Sequence, residues 1–469
     1  MSALHCLSAS EQLALLRSRS VSVVELATEH IAAIGRRNPV LNAFVDFDPE
    51  RVLDQARRLD AAPRALGPLH GLPVSIKSSI AAAGHRAEIG SLLHRGQVAA
   101  DDAEAVRRLR ASGALILGAT NCPEFLMAYE TDNLLYGQTR NPWDLERSPA
   151  GSSGGEAAAI AACLSAAGLG SDSGGSVRVP AHATGICSLK PTPGRIPGRG
   201  HLPPCVGPFS VLGSIGPMAR TMDDVRLIFE AIAGQDSGDP SSAPVPLGAV
   251  NLEDLRRQPI AVFEDDGLVP VTPETRIAVR TAAEALREAG FRVEPHRPLL
   301  LEELRRLWWI FFVQCGAMFY APTIAGREDL LSPIFREFLQ IAGDSGPLSA
   351  SELLLAWAEL DLLRARVLDE MRSYPFWLCP VASVPAFRHG EREWTVEGRT
   401  VRYLDAVRPV QWLNTLGAPA AVVPVGRSPE GLPIGVQIAG RPYHDESVLA
   451  LASVLGRNFG YQRPPRIDS

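Results

Sequence analysis

Apolar and polar residues follow two rhythms along this chain, one of helical period and one of short uninterrupted apolar runs, and the two trade places repeatedly. Ser8-Ala-Ser-Glu11 and Ser22-Val-Val-Glu25 have capping-box spacing, in which a serine hydroxyl and a glutamate three residues on satisfy each other's backbone N–H. Each opens a segment with apolar residues at helical intervals, so two helices are predicted to about Arg36, and a third from Pro49 to about Ala61. Gly71-Leu-Pro-Val-Ser-Ile76 is a short apolar run, predicted as a strand that delivers Lys77 at its end. Residues 103–112 read as a helix, and Ala114-Leu-Ile-Leu117, between Gly113 and Gly118, as a buried strand. Residues 141–155 are rich in Gly, Ser and Pro and read as a loop; 156–167 read as an alanine-rich helix, and 170–200 as a second such loop.

The second half repeats the alternation. Residues 236–246 cluster Asp, Ser and Pro and look like a linker. Beyond them, Ile260-Ala-Val-Phe263, residues 273–289 and residues 291–293 form a strand–helix–strand pattern, which suggests a βαβ unit. Residues 301–368 are mostly helical and aromatic-rich, Ala420-Ala-Val-Val-Pro-Val425 and Ile434-Gly-Val-Gln-Ile438 flank a turn at Pro429-Glu-Gly431, and 446–459 close the chain as a helix. No internal repeat or low-complexity segment appears, and the class is α/β.

Composition narrows the function. The chain has 469 residues, 46% apolar and 21% charged, ample for a large buried core. Net charge is −6, with pI near 6.0 and no run of like charges, so a dedicated nucleic-acid binder with its basic stripe is set aside. The seven cysteines are scattered, odd in number and never C-x-x-C, which argues against a disulfide framework or a zinc site and reads as reduced thiols of a cytoplasmic protein. Met1-Ser-Ala-Leu-His-Cys6 lacks the basic and apolar regions of a secretory leader. The most apolar stretches, residues 157–170 and 307–313, are too short to span a bilayer, so no stable membrane insertion is expected.

Two loops carry the chemistry: Ser148-Pro-Ala-Gly-Ser-Ser-Gly-Gly155 and Gly170-Ser-Asp-Ser-Gly-Gly-Ser-Val-Arg178. Small residues let the backbone approach a ligand with its N–H groups free to face an anion, and the first loop runs into a helix N-terminus. Serines beside such donors fit nucleophilic acyl transfer, where an oxyanion must be held. Either loop alone could be a plain turn. Gly151-Ser-Ser153-Gly-Gly155 also fits G-x-S-x-G, the elbow of α/β-hydrolase esterases, which would make Ser153 the nucleophile. That elbow needs a strand directly before the serine, where this chain has Pro142, Arg147 and Pro149, and a partner among His182, His201, His296, His389 and His444.

Taken together, these segments resemble the amidase signature family over nearly the whole chain. Gly71-Leu-Pro-Val-Ser-Ile-Lys77 is similar to its lysine segment, and Thr131-Asp-Asn-Leu-Leu-Tyr-Gly-Gln-Thr-Arg-Asn-Pro-Trp143 to the stretch before its serines. The two Gly/Ser loops, Gly185-Ile-Cys-Ser-Leu-Lys-Pro191, Gly216-Pro-Met-Ala-Arg220 and Gly431-Leu-Pro-Ile-Gly-Val-Gln-Ile-Ala-Gly-Arg-Pro442 follow in family order. Separations of 75 residues from Lys77 to Ser152 and 24 from Ser152 to Ser176 are similar to those of fatty acid amide hydrolases. The resemblance implies one amidase domain over residues 1–469: an N-terminal helical segment (1–62), a core carrying the triad (63–235), and the remainder (236–469) with a variable helical insertion at about 300–370. Its fold would be a large mixed, twisted sheet flanked by helices on both faces.

The resemblance further implies that Ser176 is the nucleophile, that Ser152 follows a cis peptide and shuttles a proton, and that Lys77 accepts it. Backbone N–H groups of Ser173, Gly174, Gly175 and Ser176 would form the oxyanion hole. Leu126, Met127 and Tyr129 would border the acyl pocket, with core packing an equal reading for Tyr129, and Ser153, Asp172 and Arg178 would support the loops. The substrate would be a small amide or carbamate, with no metal or organic cofactor and no nucleic acid; a homodimer is compatible with this reading. The A-type component of a tRNA-dependent glutamine amidotransferase complex is the alternative within the same family. Lys77 and Lys190 are the only lysines, all other basic side chains of this class being arginine, so Lys77 serves something arginine cannot do: losing its proton near neutrality. Burial among hydroxyls, with no carboxylate at hand, would lower its pKa from about 10.4. Ser78 stands where relatives usually carry Asp or Glu, which eases that neutrality, and Ala150 where many have Gly. Leu307-Trp-Trp-Ile-Phe-Phe312 and Met318-Phe-Tyr320 are either an apolar substrate wall or ordinary helix packing.

Overall fold

A computed structural model describes residues 3–465; Met1 and Ser2, which begin the stretch read for a leader, and residues 466–469, the end of the expected domain, lie outside the described residues. In chain order the strands are Phe44–Phe47 (β1), Pro73–Lys77 (β2), Leu115–Thr120 (β3), Ala167–Asp172 (β4), Cys187–Lys190 (β5), Ser214–Ala219 (β6), Ile260–Val262 (β7), Val293–Pro295 (β8), Phe376–Pro380 (β9), Glu393–Val396 (β10), Arg399–Arg402 (β11), Ala420–Arg427 (β12) and Pro433–Gly440 (β13). Eleven of them form one sheet in the order β1-β3-β2-β4-β6-β5-β12-β13-β9-β7-β8, with β10 and β11 a separate hairpin. The sheet is mixed: β2 runs parallel to β3 and β4, β7 to β8 and β9, and the strands from β4 through β13 to β9 pair antiparallel. Strands β2 to β6, β9 and β13 are buried along their whole length, which is why β2 and β3 read as short apolar runs rather than alternating ones.

Both capping boxes form. Ser8 opens the Ala9–Arg17 helix and Ser22 the Val23–Leu41 helix, each hydroxyl accepting from the backbone of Glu11 or Glu25 while that glutamate caps in return. The second helix runs past the expected end near Arg36. It passes Arg37, whose guanidinium donates to the Ala162 carbonyl (2.9 Å), and stops where Asn42 takes a left-handed conformation (φ 52°). The expected βαβ unit is present, with helix Pro273–Glu288 joining the parallel pair β7 and β8. Residues 236–246 form neither helix nor strand, as their composition suggests, yet the strands on both sides of them enter the same sheet.

Two expectations fail around the serine loops. Residues 170–200 are not one loop: β4 reaches Asp172, the helix Arg178–Thr184 follows, and β5 comes next. The alanine-rich helix is Gly154–Ala161, and its expected last residue, Ala167, instead opens β4. Gly168 serves close packing, not turning. A Cβ on Gly168 would stand 1.8 Å from Glu156 Oε1 and 2.6 Å from the Ser75 carbonyl oxygen. Strands β1 and β6 and helix Met222–Ile232 carried no strong pattern and were not expected.

The aromatic stretch departs from expectation too. Residues 301–324 are one continuous helix of 24 residues, with a π turn at Trp309–Gln314, long and apolar enough by length and composition alone to cross a bilayer. Here its inner side, Leu304, Leu307, Trp308 and Phe311, is buried in a core cluster with Phe335, Trp377 and Trp412.

Replacing Gly168 with Ala is expected to destabilise the protein by about 1–3 kcal/mol through overpacking. The exposed mid-helix Gly35, with nothing within 4 Å of an added Cβ, should gain about 0.5–1 kcal/mol from the same change. Urea unfolding of the two variants against the parent checks both signs.

Candidate active site

Strand β2 is flanked by β3 and β4, so its last residue, Lys77, ends up fully buried at the strand ends. Its Nζ donates to Ser152 Oγ (2.7 Å) and to Ser171 Oγ (3.2 Å). The Gly151–Ser152 peptide is cis. Burial pushes the Lys77 amine down to about 8, against opposing pulls from Cys122, Asp172 and Glu156. The expectation of no carboxylate near Lys77 is therefore corrected: two are close enough to act on it. Glu156, on the helix after the first serine loop, accepts from Ser75 Oγ and Thr120 Oγ1, and its own burial raises its carboxyl to about 8. Desolvation thus works against charge on both groups.

Asp172 has the opposite fate. Burial acts to raise its carboxyl, but Arg178, Lys190 and a hydrogen bond from Asn414 outweigh it and hold the group well below the usual carboxylate range. It accepts from Gly175 N–H (2.7 Å), Val177 N–H (3.1 Å), Arg178 Nε (3.0 Å) and Asn414 Nδ2 (3.0 Å). Arg178, equally buried, also donates to Gln437 Oε1 (3.1 Å). These bonds tie the second serine loop to β13 and to helix Arg408–Leu416, partners more than two hundred residues distant that no local pattern announces. They also take Gly175 N–H out of the expected oxyanion set.

Ser176 lies at the junction of two cavities. The first, about 480 Å³, is walled by Met127, Tyr129, Trp308, Phe312 and Phe338, with Glu337 as its one charged lining residue. The second, about 380 Å³, holds Ser152, Ser171, Ser173 and His201 beside Phe209 and Tyr320. Leu126, Met127, Ser176 and Phe312 border both. Ser152 and Ser176 thus face the same space, although among the described residues no hydrogen bond joins them. Trp308 lines the first cavity, whereas its neighbour Trp309 turns away, its indole donating to Ser345 Oγ (2.8 Å).

Ser153, the nucleophile of the esterase alternative, is fully buried, lines neither cavity, and its hydroxyl donates to the Ser171 carbonyl (3.3 Å). No strand precedes it, so the elbow is absent. Ser171, Glu156 and His201 were not singled out as site residues from the sequence. Ser171 stood among several serines of one loop. His201 looked like any isolated histidine; its Nδ1–H donates to the Pro203 carbonyl (2.8 Å), and burial lowers its pKa to about 4.

The family model described as Amidase matches residues 25–449. The chain belongs to the amidase signature family. It is an enzyme of C–N bonds, an amidase. The A-type component of the glutamyl-tRNA(Gln) amidotransferase from Roseiflexus castenholzii is 34% identical over 496 aligned residues, covering 97% of this chain and 96% of that protein. An indoleacetamide hydrolase from Bradyrhizobium diazoefficiens is 32% identical, covering 97% and 86% respectively. A 6-aminohexanoate cyclic dimer hydrolase solved with its substrate superposes with a TM-score of 0.85 at 27% identity, covering 98% of this chain and 99% of that one.

Removing one partner of a buried ion pair strands the other, so Asp172→Asn should cost this amidase about 3–5 kcal/mol at pH 7. Because the native carboxyl titrates far below its unfolded value, the parent's advantage should persist at pH 5 and fade only as acid falls beneath the usual carboxylate range. Denaturant midpoints of both proteins across pH check this; an unchanged midpoint at pH 7 contradicts it.

Proposed function

We propose that this amidase hydrolyses a small linear amide or carbamate through an acyl-enzyme on Ser176, with Ser152 carrying protons between Ser176 and Lys77. The observation that carries the reading is the 2.7 Å contact from Lys77 Nζ to Ser152 Oγ, on a buried amine whose pKa is about 8. A neutral amine has a lone pair to take the Ser152 proton as Ser152 takes that of Ser176. Ser176 Oγ then attacks the carbonyl carbon, and the oxyanion is held by backbone N–H groups of the Ser173–Ser176 loop. The proton returns through Ser152 to the leaving nitrogen, the C–N bond breaks, and water cleaves the acyl-enzyme by the same route. Catalytic hydrogen bonds are commonly long in ligand-free enzymes and tighten in the complex, which fits two serines facing one cavity without a direct bond.

The relay gives the cavities a direction. The leaving nitrogen must receive its proton from Ser152, which lines only the second cavity, so the amine departs there and the acyl part occupies the first. Aromatic and aliphatic walls on both sides favour an apolar amide. The domain would be single, and free thiols suit a reducing cytoplasm.

The 34% identity to the A-type component of an amidotransferase favours a second reading, in which glutamine is the amide and a partner accepts the ammonia. Glutamine carries a charged amine and carboxylate that need paired opposite charges. Glu337 is the one charged side chain lining either cavity, and it is already bonded to Arg392 (2.7 Å), so the simple amidase is preferred.

A turnover screen over aryl and aliphatic amides, carbamates, esters and glutamine tests the proposal. Ser176→Ala and Lys77→Ala should each lose at least about a thousandfold in kcat. A Lys77→Ala protein as fast as its parent sinks the mechanism; glutamine-only turnover transfers it to the second reading. Since the neutral amine is the active form, kcat/KM should rise with pH through about 8 and level off above it. Ser78→Asp, placing a carboxylate beside Lys77, should move that midpoint about one pH unit toward alkaline.

A further inference from the structure

Each carbonyl of the Ser173–Ser176 loop has a donor, and two of the four donors are side chains from elsewhere in the chain. The Ser173 carbonyl accepts from Trp308 Nε1 (3.1 Å) and the Gly174 carbonyl from Tyr129 Oη (2.6 Å). The Gly175 carbonyl accepts from Val179 N–H (2.7 Å) and the Ser176 carbonyl from Ser153 N–H (3.1 Å). In a trans peptide the N–H points opposite to the carbonyl that precedes it, so each of these bonds also aims an N–H. Tyr129, holding the Gly174 carbonyl, sends Gly175 N–H onto Asp172 (2.7 Å). Trp308, holding the Ser173 carbonyl, turns Gly174 N–H away from the indole. Among the described residues, the N–H groups of Ser173, Gly174 and Ser176 have no partner within the protein, whereas that of Gly175 is taken by Asp172.

The packing around Gly174 agrees. A Cβ there would stand 2.8 Å from Trp308 Cζ2 and 3.0 Å from Tyr129 Oη, so the two rings close on this one residue. Trp308 is itself fixed: it is fully buried, and its ring stacks on Phe312 with centroids 4.8 Å apart and planes 13° from parallel.

We propose that Trp308 and Tyr129 are positioning residues that aim this oxyanion-binding loop through its carbonyls, Trp308 setting the direction of Gly174 N–H and Tyr129 fixing the adjoining peptide. The proposal rests on Ser176 being the nucleophile. It assigns to Trp308, a residue of the long apolar helix, a part in transition-state binding in addition to its place in the cavity wall. An indole that merely lined the cavity would affect substrate binding. One that aims a donor at charge developing on the carbonyl oxygen affects the step in which that charge appears.

The test is Trp308→Phe, which keeps an aromatic ring beside Phe312 and removes the N–H, assayed on the best amide from the screen with Trp309→Phe as control. Expected for Trp308→Phe is a fall in kcat of about tenfold with KM within about twofold, less than the roughly hundredfold loss of a deleted oxyanion donor. The Ki of a peptide-free trifluoromethyl ketone or boronic acid, which mimics the tetrahedral adduct, should rise by the same factor. Trp309→Phe should leave all three constants unchanged. A raised KM at constant kcat, or an analogue Ki that does not follow kcat, overturns the proposal and returns Trp308 to a wall residue. If Trp308→Phe does not fold, Tyr129→Phe puts the question to the neighbouring carbonyl, with the same parallel loss in kcat and analogue affinity expected. Failure of the underlying reading shows separately, as a parent without amide turnover or a Ser176→Ala protein that retains it.

Discussion

Lys77 ends a strand that has sheet neighbours on both sides and is fully buried, and among the described residues the Nζ finds two serine hydroxyls as hydrogen-bond partners. An ammonium in that position loses hydration that hydroxyl dipoles replace only in part, so the proton is held loosely. Every neighbouring feature has to respect that balance. Glu156 and Asp172 both pull toward the charged amine, and either of them free and ionised against Nζ would restore an ordinary lysine. Glu156 is itself desolvated and hydrogen-bonded to two hydroxyls, whereas the charge of Asp172 is bound up with Arg178 and the loop. The sheet supplies burial, the two loops supply hydroxyls, and the charge that must stay near the site is already spoken for.

Asp172 shows how the same interior keeps one group ionised while it loosens the proton of another. The difference lies in partners, not in depth, because both residues are fully buried. Five N–H donors from four residues converge on the Asp172 carboxylate, two of them backbone N–H groups of the loop that carries Ser176. The charge therefore shapes a stretch of backbone, and Arg178 links that stretch through Gln437 to the other end of the chain. A loop so braced can hold donors in place before a substrate arrives, which is the condition under which backbone dipoles lower a barrier.

What was legible in the sequence were features that act over short range or recur as ordered motifs. Capping boxes at Ser8 and Ser22, the strand ending at Lys77, the βαβ unit and the serine loops all belong to that class. What escaped was the meaning of glycine. Gly168 and Gly170 read as loop residues but lie in a buried strand, because Glu156, Ser153 and Met218 occupy the space their side chains would need. That space is set by segments far away in sequence, and composition cannot report it. The same holds for Ser171, which differs from its serine neighbours only in pointing at Nζ, and for the carboxylates near Lys77, which no motif spacing places there. Gly175 was expected among the oxyanion donors because its position in the loop is right; the side chain three residues before it had already taken its N–H.

Trp308 and Trp309 carry this point furthest. They are identical residues in adjacent positions, and a helix turns about 100° between them. One indole meets the Ser173–Ser176 loop and the other meets Ser345 near the surface. The helix that presents them belongs to the segment that also walls the cavity through Phe312, so shape selection and loop geometry share one rigid element. A change that widens the first cavity by trimming Phe312 removes the ring on which Trp308 stacks, and with it the support of the indole that holds the Ser173 carbonyl. In a close-packed interior such a shift is transmitted, not absorbed. On the proposed role of Trp308, altering what this amidase accepts through that helix also acts on how well it holds the transition state. The two properties can be separated only at wall residues, such as Met127 and Phe338, that neither stack on Trp308 nor hydrogen-bond to the loop.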